Sequence, residues 1–147
     1  MNTFKHLTIS LMVILLSLAT VTCMAQGKGQ QKKDSPFLIT GKMPHMTKML
    51  MQQWDNAALH LTDAQKSKLL VIRKQTISGA QGLGKKIAPL ENQVAKEISS
   101  GKTPEELQSL VQEIAKLKAE ATMIHLRCLY NTSAILDQNQ LELLKTL

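Results

Sequence analysis

The chain has 147 residues, with 18 Lys and Arg against 11 Asp and Glu for a net charge of +7, and only 3% of its residues are aromatic. That length suits one domain. The basic balance invites a nucleic-acid partner, but beyond residue 25 only Phe37, Trp54 and Tyr130 are aromatic, too few to make a stacking platform for bases.

The first 25 residues read as a secretory signal peptide. Lys5 and His6 precede the apolar run LTISLMVILLSLATV, and TCMA closes it on a small residue. The run is too short to be read as a spanning helix. Cleavage is expected after Ala25; Cys23 is the competing site for lipid attachment, disfavoured by the Thr22 before it. Export also argues against nucleic acid. The mature chain keeps 17 basic and 11 acidic residues, a charge of +6, and Cys128 as its one cysteine. No intrachain disulfide is then available, so the fold must rest on apolar packing.

Residues 26–42 begin as QGKGQQKKDS, polar and basic with nothing to bury, and are expected to be disordered. A helical domain is expected over 43–147. Met46, Leu50, Trp54 and Ala57 or Ala58 recur at helical spacing and predict a first helix over roughly 44–59. In LTDAQ (61–65), Leu61 leads into Thr62 as N-cap, with Gln65 three residues on to complete a capping box. Leu69, Ile72, Thr76, Ala80, Leu83, Ile87, Leu90, Val94 and Ile98 then form a helical seam over about 63–98.

The turn SSGK (99–102) is followed by Thr103-Pro104-Glu105-Glu106, a second capping box with proline at the first helical position. Leu107, Leu110, Ile114, Leu117, Ala121, Ile124 and Cys128 carry the next seam to about 135. Two long helices joined by so short a turn are expected to lie antiparallel. LDQNQ (136–140) opens a last short helix, with Leu136 as staple, Asp137 as cap and Gln140 closing the box. The fold class is all-α: a long antiparallel hairpin flanked by two shorter helices, with no strand signal.

An exported helical hairpin bounded by LTDAQK and LDQNQ, two LTxxQ-type elements, resembles the Spy/CpxP family of periplasmic proteins over roughly 43–147. The second element departs from the pattern in carrying Asp137 for threonine, a residue that caps equally well. The resemblance implies a small all-α homodimer shaped as a curved cradle, located in the periplasm. It also implies an ATP-independent chaperone for unfolded or aggregation-prone proteins in envelope stress. Relatives that restrain stress sensors or bind metals leave a second reading open, a periplasmic protein that binds or senses zinc or copper.

The chemistry on offer is sparse. GAQGLGKK (79–86) spells most of a phosphate-binding loop, but Lys86 stands where a hydroxyl is needed and the stretch lies on a helix seam. No nucleotide or other cofactor is expected. His125 and Cys128 share a helix face and supply two candidate metal ligands, set against a buried cysteine with histidine at its margin. Met43, His45, Met46, Met49 and Met51 offer soft ligands for Cu(I), set against packing by flexible methionines. No catalytic constellation is present in the pattern, and no enzyme activity is expected. Charge placement is more telling: between 62 and 86 six cations face only Asp63, whereas residues 103–130 are nearly balanced. The expected client surface therefore draws on Lys66, Arg73, Lys74, Lys85 and Lys86, with Met46, Met49 and Leu50 as its apolar part. Gly79, Gly82, Gly84 and Pro89 predict a bend or weak point over 79–89, against the alternative of a broken helix.

Overall fold

A computed structural model describes residues 35–146. The expected signal peptide, its cleavage site, Cys23 and residues 26–34 lie outside the described residues. Those described are all-helical: α1 (Met46–Gln52), a short 3-10 turn (Ala57–Leu59), α2 (Asp63–Ser99), α3 (Pro104–Ser133) and α4 (Gln138–Thr146), with no strand among them. None of these helices is long and apolar enough to cross a membrane.

Local chemistry sets most of the boundaries. Thr62 accepts a hydrogen bond from the Gln65 N–H while the Gln65 side chain accepts from the Thr62 N–H, so α2 starts where the capping box lies. The Thr103–Glu106 box does the same for α3, with Pro104 in its first turn. Between them α2 ends in a Schellman turn: Lys102 N–H donates to Glu97 O and Gly101 N–H to Ile98 O. Gly101 has φ +94°, the left-handed conformation that such a turn requires.

The first helix is shorter than its apolar spacing suggests. It stops at Gln52, because Asn56 turns its side chain to the backbone: its Oδ1 accepts from Ala58 N–H and its Nδ2 donates to Gln53 Oε1. Asparagine's affinity for a cap outcompetes the helix here. His60 at φ 44° then ends the 3-10 turn and aims the chain into α2.

Residues 79–89 are helical throughout, and none of the three glycines has a positive φ. The broken-helix alternative does not hold. Gly79 is a packing residue: a Cβ there would stand 2.9 Å from Ile124 Cδ1 on α3. Along α2, Gln65 meets Ile135 just beyond the end of α3, Gly79 meets Ile124 on α3 and Glu91 pairs with Lys118 on α3.

The core cluster sits where α1, the 3-10 turn, the start of α2, the turn after α3 and α4 meet. Leu50, Leu59, Leu69, Leu136 and Leu144 are buried there, with Met46, Met49, Trp54, Leu61 and Leu141 packed around them. Farther along the long helices only Ile87 and Leu107 join Ala121 and Cys128 as buried apolar residues.

The three helical glycines separate helix propensity from packing. Gly82 has open space where a Cβ would go, so Gly82→Ala is expected to stabilise the protein by about 1 kcal/mol in urea unfolding. Gly79→Ala gains less or destabilises, and Ile124→Val, which removes the crowding methyl, restores the gain in the double variant.

Candidate functional site

The two LTxxQ elements are not independent caps. Each glutamine caps its own helix with Oε1: Gln65 accepts from Thr62 N–H at 3.0 Å and Gln140 from Asp137 N–H at 3.0 Å. Each then uses Nε2 across the interface. Gln65 donates to Ile135 O at 3.0 Å and to Gln140 Oε1 at 2.9 Å, and Gln140 donates to Leu59 O at 2.8 Å. The backbone N–H groups of Gln65 and Gln140 close the pattern on Thr62 Oγ1 and Asp137 Oδ1. Gln140 is buried and Leu136 beside it lies in the core, so this clasp joins the start of α2 to the start of α4.

The clasp explains a residue choice. A capping box accepts Glu or Gln at its third position. At the exposed start of α3, where nothing lies across, the chain uses Glu106. At positions 65 and 140 the same side chain must also donate, which a carboxylate cannot do.

A furrow along one side of α2 is the second feature. Pro36 to Leu38, within the stretch expected to be disordered, lie in it and touch both α2 and α3. Leu38 N–H donates to Thr122 Oγ1 at 2.9 Å, the Phe37 ring sits 5.2 Å from that of His125, and Pro36 lies beside Gly84. A groove of about 750 Å³ is lined by Pro36 and Phe37 with Ile77, Ala80, Gln81, Gly84, Lys85 and Ala88. A neighbouring cavity of about 280 Å³ shares Phe37, Ile77 and Ala80 and adds His45, Met46, Lys48, Arg73, His125 and Cys128. Lys74 and Lys85 flank a further open depression with Ile77 and Gln81.

This places the expected client residues unevenly. Arg73 lines the smaller cavity with Ile77, Ala80 and Met46, Lys85 lines the groove with Ile77 and Ala80, and Lys74 meets Lys85 and Ile77 in the open depression. Lys86 is exposed but borders neither groove. Lys66 is half-buried, its Nζ 5.7 Å from the centre of the Trp54 ring. Met49 faces a separate cavity with Leu141, Leu144 and Lys145. Leu50 has no exposed surface at all; it belongs to the core and is corrected out of the client surface. Phe37, Ile77, Ala80 and Thr122 enter the site instead. The apolar cluster PFLI after a polar stretch was the available sequence signal for the first of them.

His125 is buried, stacked on His45 with ring centres 4.8 Å apart and planes within 13°. Its Nε2 lies 3.2 Å from Pro44 O. A carbonyl only accepts, so Nε2 carries the proton and Nδ1, which has no partner, presents a bare lone pair. Burial holds the imidazole below the ordinary histidine range; the nearby His45 adds to the effect and the bond to Pro44 opposes it. Cys128 is buried with Sγ 3.9 Å from Thr47 Oγ1. Among the described residues no group of three or more His, Cys, Asp or Glu side chains is arranged to hold a metal ion. The near-parallel rings give the reason at His45 and His125, because their in-plane lone pairs do not converge on one point. The GAQGLGKK stretch is helical, so its amides are committed to the helix and form no phosphate cradle.

No protein-family model matches the chain, and no curated protein or solved structure matches it either.

Two tests follow from this geometry. Gln65→Glu and Gln140→Glu keep the capping function but lose the cross-interface donor, and each is expected to cost about 1–3 kcal/mol by urea unfolding. Glu106→Gln is expected to be nearly neutral; equal effects at all three positions would reduce the clasp to ordinary capping. For His125 the folded pKa lies below the unfolded value of 6.5. Its contribution is therefore complete above about pH 6.5 and is lost as pH falls through the lowered native pKa. Wild type is expected to lose stability faster than His125→Gln between pH 7 and 5, by at most about 1.4 kcal/mol per pH unit. Parallel pH profiles would show that His125 reaches solvent on protonation without cost.

Proposed function

We propose that this chain is an exported, ATP-independent chaperone that holds unfolded or aggregation-prone proteins in the periplasm during envelope stress. It works as a homodimer whose antiparallel helical hairpins form a curved cradle, as its likeness to the Spy/CpxP family implies. One observation carries the reading: Arg73, Lys74 and Lys85 flank the apolar residues Phe37, Ile77, Ala80 and Ala88 along one side of α2.

Such a surface suits a client that is both acidic and partly unfolded. The cations accelerate encounter through long-range attraction, and the apolar floor then holds side chains that a folded protein would hide. Grooves this open and shallow suit sliding, interchangeable contacts better than one small ligand. The nearly balanced charge of residues 103–130 leaves the attraction concentrated on α2.

The test pairs salt with charge removal. Screening acts over about 8 Å at physiological ionic strength. Capture of an unfolding acidic client by wild type is therefore expected to slow roughly tenfold between low and high salt. Arg73→Gln, Lys74→Gln and Lys85→Gln combined should reproduce that slowing at low salt, while Lys86→Gln should have little effect. Capture rates indifferent to both changes would assign the cations to solubility. Zinc and copper titrations belong beside the assay, since tight stoichiometric binding without client protection would favour the metal-binding reading.

A further inference from the structure

The chain already places an extended apolar segment of its own in the furrow. Pro36 lies against α2 at Gly84, whereas Leu38 N–H and the Phe37 ring engage Thr122 and His125 on α3. Leu38 and Ile39 remain 55% and 45% exposed, so the segment is held by few contacts. Beneath it Thr122 and His125 are buried. Thr122 Oγ1 donates to Lys118 O and has a lone pair left to accept a backbone N–H.

We propose that Ser35–Ile39 is a displaceable strap, and that an extended apolar segment of another polypeptide binds in its place. The incoming segment supplies a backbone N–H to Thr122 Oγ1 and an aromatic side chain against His125. Acidic residues flanking it meet Arg73 and Lys85, which line the cavity and the groove that Phe37 also lines, and Lys74 in the depression beside them. This deepens the chaperone reading and rests on it for the identity of the natural occupant.

The arrangement has a consequence for affinity. A site occupied by its own strap is available only for the fraction of time the strap is released, and apparent affinity falls by that fraction. Weakly held apolar segments are then rejected, and the furrow stays covered when no client is present. Strap variants leave α2 and α3 untouched, which makes the effect separable from damage to the site.

The probe is a fluorescein-labelled peptide with the sequence of residues 34–42, DSPFLITGK, added in trans to the full-length mature protein. Two strap variants are compared with wild type: Phe37→Ala, which removes the ring from His125, and Leu38→Pro, which removes the N–H donated to Thr122. Both are expected to bind the peptide about tenfold more tightly than wild type by fluorescence anisotropy, with unchanged helical circular dichroism. Equal affinity in all three proteins, within twofold, overturns the strap. So does tighter binding that persists when Thr122→Val is added to either variant, because the peptide is then not in the furrow. Aggregation of lactalbumin unfolded by reduction of its disulfides with dithiothreitol is measured in the presence of the same proteins. Tighter peptide binding in variants that, like wild type, leave its aggregation unchanged upholds the strap and overturns the chaperone reading instead.

Discussion

Two side-chain amides, the half-buried Gln65 and the buried Gln140, decide where the short elements sit. Each must satisfy the first turn of its own helix and the backbone of the other element at once. Those demands can be met together only if the starts of α2 and α4 face each other at hydrogen-bonding distance. The 3-10 turn is drawn in through Leu59 O and the turn after α3 through Ile135 O. The leucine cluster then fills the space that this arrangement defines. Buried donors and acceptors left open would cost about 1–3 kcal/mol each, so the clasp fixes geometry more sharply than apolar contacts of similar total strength.

The rest of the long-helix pair is built on different physics. Away from the leucine cluster the α2–α3 seam is narrow, with small residues at close approach such as Gly79 under Ile124. A thin seam leaves apolar side chains on the outer faces; Leu70, Val71, Ile77, Met123 and Tyr130 are all more than a third exposed. A globular domain of ordinary purpose would cover more of these. Here stability is concentrated at the clasped end, and the long helices are free to present surface.

The strap lies along that region beside Ile77 and Ala80. Its anchors are one backbone hydrogen bond and a ring contact to a histidine that is itself buried without a partner on Nδ1. His45, Lys48 and Arg73 line the same cavity as His125 and no carboxylate does. Burial, and to a lesser extent the neighbouring His45, disfavours a second proton on His125, while Arg73 and Lys48 leave the cavity with a charge that would attract an acidic polypeptide.

What the sequence determined by itself was the starts of α2, α3 and α4 and the stop of α2. Thr62, Thr103, Pro104, Gly101 and Asp137 act through bonds and dihedrals within a few residues, and such signals survive without knowledge of the fold. The exception, the early end of α1, turned on Asn56 choosing a cap over a helix position, a near-balance that apolar spacing does not register. The use of Gln at 65 and 140 against Glu at 106 was visible too, but its meaning required knowing what lay across from each. Seam positions were legible as apolar, yet a stripe does not say what covers it. Only the tertiary structure put Leu50 in the core, Lys66 against Trp54 and Phe37 in the furrow. Burial is a property of two surfaces meeting, and one strand of sequence carries only one of them.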